Sequence, residues 1–433
     1  MTAVASAPAE SPTPETPTLT LRVARSWALP ITLGVIGVIS LLVFGLRTPS
    51  GVTTTFAFAR PTDFVTIPNL TVPSAPTAIL LSLVAIAIAA YCGWAVHTAR
   101  RFPMGAAIVY GVAVLGALLT WAGAGKESTN IQVTGLLTGA LVLSVPLVFG
   151  ALAGVLCERS GIINIAIEGQ LLAGAFLGAV VASATGNPYL GLVAAPVAGA
   201  LVGWVLSVFS VKYWVNQIVV GVVLNVLVIG ITNFLFGTLL RENPDLNQSV
   251  PLSRIAIPGL SAIPVIGPTL FNHTVLVYIM YVTVAVLSVM LFRSRWGLRV
   301  RAVGEHPKAA DTVGIKVNRT RVRNTILGGA IAGLGGAFFT VASGLAFGQE
   351  MTSGAGYIAL AAMILGRWRP TGALAAALLF GFANSLKDQL GIIGSSIPSQ
   401  FLAMLPYLAT ILAVAGFVGH ARPPAAEGIP YKK

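Results

Sequence analysis

The sequence predicts an all-α polytopic membrane protein. Three observations carry this expectation. Of 433 residues, 56% are hydrophobic and only 9% charged, against about a quarter charged in ordinary soluble domains. The mean hydropathy is +0.87. Apolar windows of about 20 residues, the length that crosses a hydrocarbon layer as a helix, follow one another along the chain. Such a chain has no room for a large soluble catalytic domain. The net charge of +13 would suggest nucleic acid in a soluble protein. Here the cations are spread among short loops between apolar segments, where they set orientation in a membrane, and no nucleic-acid partner is expected.

Taken in order, residues 1–26 read as a disordered cytoplasmic tail: they are rich in Pro, Thr, Ser and Ala, and the first 20 hold Glu10 and Glu15 but no cation. Trp27 to Leu46 follows Arg22 and Arg25, shows no small-residue cleavage site and is read as a retained first helix. Windows bounded by charge, Pro and Gly then give spans at 27–46, 75–97, 104–123, 134–156, 162–183, 189–209, 217–240, 272–292, 323–345, 354–366, 371–390 and 400–418, eleven or twelve segments in all. The segment 354–366 is too short to cross alone. Opened by Ser353-Gly354-Ala355-Gly356 and closed by Gly366-Arg367-Trp368-Arg369-Pro370, it is either a half-helix or a tilted span with a misplaced end. The expected organisation is extra N-terminal segments and an outside loop over 27–130, a core over 134–418 with a cytoplasmic loop at 293–323, and a cytoplasmic tail over 419–433.

Orientation follows from alternation. With the N-terminal tail inside, 20 of the 26 basic residues fall on the inner side, and only Arg47, Arg60, Lys126, Arg241, Arg254 and Lys387 fall outside. Both termini are therefore expected in the cytoplasm. Asp63, Glu127, Glu242, Asp245, Glu350 and Asp388 fall on outside loops or helix ends, as a docking rim or as ordinary solvated polarity.

The segment Arg293 to Arg323 holds nine basic residues and two acids. Pro307 suits a first helical position, Ala309 and Val313 share a face, and Gly314 suits a C-terminal cap, so a two-turn helix is predicted over 307–313. A helix this short needs packing partners. It is either a capped loop helix on its own protein or a unit that engages another protein.

The run Ala302-Val303-Gly304-Glu305-His306-Pro307-Lys308-Ala309-Ala310-Asp311-Thr312-Val313-Gly314-Ile315 resembles the coupling-helix segment of bacterial ABC-importer permeases of the ribose, branched-chain amino acid and nucleoside group. The run Cys157-Glu158-Arg159-Ser160-Gly161-Ile162-Ile163-Asn164-Ile165-Ala166-Ile167-Glu168-Gly169-Gln170 is similar to a second segment of that group, and its Glu-Gly ending resembles the nucleoside and simple-sugar branch. The resemblance covers about residues 134–418. It implies a plasma-membrane permease subunit that is itself no enzyme and binds no cofactor, with ATP on partner subunits. The implied partners are a cytoplasmic, tandem-domain ATPase, a second related permease and an external solute-binding lipoprotein, besides membrane lipids. Glu305, Pro307, Ala309, Ala310, Asp311, Val313 and Gly314 then contact the ATPase, small side chains allowing the helix to seat closely.

Inside the spans, Glu168 is the only deep acid, and an intramembrane charge marks a functional candidate. It either lines a solute path or locks one helix to another. Asn164, four residues earlier, is expected on the same helix face. Asn225 and Thr232, seven apart, offer uncharged donors and acceptors to a sugar or base, or serve as interhelical glue, with Gln217 and Asn233 beside them. Gly329 and Gly333 form a small-residue pair for close packing. If 354–366 is a half-helix, its first N–H groups face the path, and Gln349 and Ser353 are candidate gate residues.

Other chemistries are poorly supplied. Gly125-Lys126-Glu127 lacks the glycine and hydroxyl of a phosphate loop, and His97, His273, His306 and His420 lack metalloprotease spacing. Cys92 and Cys157 lie in or at the ends of apolar segments, which disfavours a disulfide or zinc site. The reading is an importer permease for nucleosides or related sugar-containing solutes. An ion-coupled secondary transporter, a permease for simple sugars or branched-chain amino acids and, last, a membrane enzyme are the alternatives.

Overall fold

The computed structural model describes residues 27–59, 63–65, 67–100, 102–126, 130–344, 346–395, 397–398, 400–402, 404, 407 and 422–432. The tail 1–26 and most of the expected span 400–418 lie outside the described residues. Helix α1 (Ala28–Ile39) runs on through a π-helical turn, Ser40–Gly45. Strands β1 (Thr53–Ala57) and β2 (Leu70–Pro73) precede α2 (Ser74–His97) and α3 (Met104–Ala122); β3 (Ile131–Gln132) leads into α4 (Val133–Glu158). Then come α5 (Ile167–Thr185), α6 (Pro188–Ser207), α7 (Gln217–Leu235), β4 (Arg254–Ala256), α8 (Ile266–Leu270) and β5 (Asn272–Thr274). The chain continues through α9 (Val275–Arg293), α10 (Arg295–Glu305), α11 (Pro307–Thr312), α12 (Val317–Ala337), α13 (Ala355–Leu365) and α14 (Pro370–Ile392).

Among the described residues nine helices are long and apolar enough to cross a membrane. α14 is as long, at 23 residues, but carries Asn384, Ser385, Lys387 and Asp388 in its second half. The 11 residues of α13 extend only about 16 Å, half of a 30 Å hydrocarbon core, so the short segment is a half-helix. The expected span over 162–183 begins late: residues 162–166 are non-helical and α5 starts at Ile167.

The most enclosed span is α4, whose apolar window is 89% buried, with α12, α13 and α14 packed around it. Close approach is built from small residues. A Cβ at Gly150 would stand 2.7 Å from the Ala359 side chain, and one at Gly154 2.7 Å from the Met363 sulfur, so α13 lies in a groove along α4. The expected pair Gly329 and Gly333 meets the backbone of Gly199 on α6, with Gly203 one turn along. In lipid there is little hydrophobic drive between helices, so van der Waals contact of bare backbones supplies the association.

Two small sheets lie at the end opposite α10 and α11. β1 pairs antiparallel with β2 and parallel with β3, while β4 pairs antiparallel with β5. A backbone bond from Phe64 N–H to Ala262 C=O joins the two loops at 2.9 Å. Helices α1 to α3 pack on one another around Leu33, Ala85, Cys92 and Ala113. The far end of α3 meets α4 and α14 through Leu119, Leu136, Leu386 and Leu390.

Candidate translocation site and coupling surface

The Glu168 side chain, 5% exposed, sits where two helices begin. It lies in the first turn of α5 and also caps α13. One carboxylate oxygen accepts from Thr352 Oγ1 at 2.6 Å and from Gly354 N–H at 2.9 Å, and the other from Gly356 N–H at 2.6 Å. Each helix start carries unpaired N–H groups and partial positive charge, so one anion stabilises both. The expectation that the first N–H groups of the half-helix stand open is corrected here: Glu168 takes those of Gly354 and Gly356. Glu168 thereby ties the start of α5 to the start of α13.

Asn225 keys α7 into the same junction. Its Oδ1 accepts from Gly169 N–H at 2.8 Å, and its Nδ2 donates to Ile165 C=O at 2.9 Å and to Tyr357 Oη at 3.2 Å. Asn164 does not share a helix face with Glu168, because it precedes the helix. It pairs with Gln170 through two amide bonds, at 3.0 and 3.2 Å. Thr232 is buried and donates back to Val228 C=O at 2.8 Å, while Asn233 Nδ2 reaches Glu350 at 3.5 Å. Gln349 lies exposed in the turn before α13. In that turn Glu350, Ser353 and Gly354 have φ of 51°, 46° and 81°, a left-handed run that non-glycine residues seldom adopt. The junction thus gathers Glu168 and Asn225 but not Asn164, Thr232 or Gln349.

Beside the junction opens a cavity of about 350 Å³. Thr352, Ser353 and Ala355 line it from the half-helix start, Phe338 and Phe339 from a π-helical turn continuing α12, and Asn384 and Lys387 from α14. Ser353 was among the sequence candidates. Phe338, Phe339, Asn384 and Lys387 were not, although an amide and an ammonium inside an apolar helix are a legible signal. Among the described residues no group of three or more His, Cys, Asp and Glu is placed to hold a metal ion.

At the opposite end of α13, the predicted short helix forms as α11. Pro307 opens it and Gly314, at φ 84°, closes it, with Ile315 N–H bonded to Ala310 C=O at 3.0 Å. Ala309, Thr312 and Val313 are exposed, Val313 by 75%. Ala310, expected to face a partner, instead turns inward and packs with Val303, Val317 and Tyr431, whereas Ala309 stands exposed. Glu305 is also directed to its own chain: it ion-pairs with Arg159 at 3.9 Å and accepts from Ala425 N–H at 3.1 Å.

That last contact belongs to the C-terminal tail. Residues 422–432 run beneath α10 and α11, with Ala426 N–H bonded to Gly304 C=O at 2.9 Å. Arg321 of α12, 1% exposed, donates to the carbonyls of Ile429 at 2.8 Å and Ala426 at 3.4 Å. Lys432 lies 4.7 Å from the Trp214 ring centre. Burial raises the Glu427 carboxyl above its ordinary value, partly offset by its hydrogen bond to Glu158 and by the nearby Arg159. Trp368 Nε1 donates to Glu158 at 2.5 Å, tying the far end of α13 to the same cluster.

Membrane-length helices around a broken, anion-capped pair, with a cavity beside the break and a short rigid helix at one end, define a polytopic transport permease. The family described as "branched-chain amino acid transport system / permease component" matches residues 136–415. The guanosine ABC transporter permease protein NupQ of Bacillus subtilis is 39% identical over 70% of this chain and 98% of its own length. The nucleoside ABC transporter permease protein NupC of Lactococcus lactis is 38% identical over 68% of this chain and 95% of its own length. A putative glucose ABC transporter permease of Haloferax volcanii is 33% identical over 58% and 77%. No solved structure matches. The chain belongs to this family of transport permease components and is a multi-pass protein of the bacterial inner membrane.

Proposed function

We propose that the chain is the transmembrane subunit of an ATP-driven importer that carries nucleosides or related sugar-containing solutes inward by alternating access. The observation that carries the reading is α11: a six-residue helix clamped on one side by Ala310, Val303 and Tyr431 and presenting Ala309 and Val313 outward. A rigid, outward-facing unit tied through Arg159 and Trp368 to α4 and α13 suits the transmission of force from a cytoplasmic ATPase to the broken helices. The end bearing α10 and α11, with the excess of Arg and Lys, faces the cytoplasm in this reading. ATP is hydrolysed on a tandem-domain partner, a second related permease completes the path, and an external lipoprotein delivers solute.

The solute class is argued from the relatives' names and from the cavity. Phe338 and Phe339 offer aromatic surface to a base, and Ser353 and Asn384 offer uncharged hydrogen bonding to ribose hydroxyls. The test is transport in vesicles holding the permease with its ATPase and binding protein. ATP-dependent guanosine uptake that stops with ATP depletion is the expected outcome. Uptake without ATP that collapses with an ion gradient would replace this reading by a secondary transporter, and ATP-driven uptake of glucose but not guanosine would move the solute to simple sugars.

A further inference from the structure

Between α10 and α12 runs a groove that shares Val313 and Gly314 with the outer surface of α11 but whose cations and inner part the transport reading does not use. Its wide part, about 780 Å³, is edged by the exposed cations Arg295, Arg299, Lys316, Arg319 and Arg323. The ion pairs found among the described residues, Arg159 with Glu305 and Lys387 with Asp388, involve none of these five. A narrower part, about 210 Å³, shares Arg299, Thr320 and Arg323 with it and continues along α12 to Trp296 and Leu327. Leu327 is 48% exposed, four residues beyond Arg323 in the apolar stretch of α12, which places it about 6 Å deeper. Asn324, 1% exposed, lines this narrow part; its Nδ2 donates to Thr320 C=O at 2.7 Å, and its Oδ1 has no partner.

From the mouth inward the groove therefore offers cations, then a buried acceptor lacking a donor, then an aromatic edge and a bare aliphatic side chain. We propose that it binds an anionic phospholipid with a hydroxylated headgroup, of the phosphatidylglycerol class, in the leaflet at this end of the molecule. The phosphate lies against Arg299 and Arg323, a headgroup hydroxyl donates to Asn324 Oδ1, and an acyl chain runs along Trp296 and Leu327. Basic pockets between membrane helices recognise anionic headgroups in this way, and an indole at that level suits the interface. The acidic edge of a water-soluble protein meets the cations equally well, but it has no means of covering Leu327 within the apolar layer. An amphiphile satisfies all three parts at once.

The experiment uses the full-length permease in detergent, stripped of lipid, with thermal stability and native mass spectrometry as readouts. Short-chain phosphatidylglycerol is expected to bind saturably and stabilise the protein, and phosphatidylcholine with the same chains is not. Both guanidinium groups are exposed, so the pair R299A/R323A keeps the fold, and the loss of two surface cations weakens the interaction about thirtyfold. Phosphatidylmethanol, a phosphodiester of the same single charge without the headgroup hydroxyls, binds the wild type more weakly than phosphatidylglycerol, and N324L removes that preference. Equal binding of phosphatidylcholine, or equal stabilisation by inorganic phosphate alone, overturns the proposal. So does a double variant that binds phosphatidylglycerol normally but loses the ATPase, which assigns the groove to a protein partner.

Discussion

Removing the Glu168 carboxylate strands three donors at once, because Thr352 Oγ1 and the N–H groups of Gly354 and Gly356 all end on it. Buried donors left without a partner cost about 1–3 kcal/mol each, and the Thr352 hydroxyl is free to rotate away. Glu168→Ala is therefore expected to lower stability by about 3–5 kcal/mol, and Glu168→Gln, which keeps one acceptor oxygen, by about half as much. Thermal midpoints of the detergent-solubilised variants check the ranking. A Glu168→Ala protein as stable as wild type would show that the carboxylate is not the lock. Glu427 makes a residue-scale prediction of opposite sign to most carboxylates. Its value is raised by burial, so its contribution to tail docking is fully present below the ordinary carboxylate value and is lost as pH climbs through the raised one. Proteolysis of residues 422–432 is expected to quicken as pH rises, with Glu427→Gln flattening that dependence.

Among the elements, α11 was legible in sequence because Pro307 and Gly314 punctuate it locally, and its observed limits agree with those signals. The partnership of Glu168 was not, since Thr352 stands 184 residues away and no periodicity links them. The same applies to Asn164: the largely apolar window 162–183 conceals a stretch of five non-helical residues before α5. The seat of α13 on α4 is written in Gly150 and Gly154, four apart, the same spacing as Gly329 and Gly333 of α12. Two element-scale outcomes follow. Gly356→Ala places a Cβ 2.6 Å from the Cα of Glu168, so α13 must shift, and a loss of about 1–3 kcal/mol with impaired uptake is expected. On α11, Val313→Arg leaves folding intact, since the side chain is 75% exposed, yet abolishes solute-stimulated ATP hydrolysis by the assembled importer. Ala310→Phe instead disrupts the packing with Val303 and Tyr431. Normal coupling in Val313→Arg would remove α11 from the ATPase contact.

At the scale of the whole molecule, one chain of polar ties runs from the cavity to the tail. Thr352 borders the cavity and binds Glu168, and α13 carries the connection to Trp368, whose indole meets Glu158 at the end of α4. The carboxyl of Glu158 then meets Glu427 in the tail. Ending the chain at Arg422 removes the acceptors of Arg321 and the aromatic cover over Ala310. Hydrogen exchange in α10 and α11 is expected to rise in that truncation while α1 to α3, which pack far from it, keep their protection.

The position of that tail also sets an order of events during biosynthesis. Residues 422–432 leave the ribosome after every described helix, yet they furnish the carbonyls that hold Arg321 and the ring that backs α11. A nascent chain can therefore insert its membrane helices while the surface around α11 is still unfinished. A bulky insertion close behind residue 432 would load the element that finishes it.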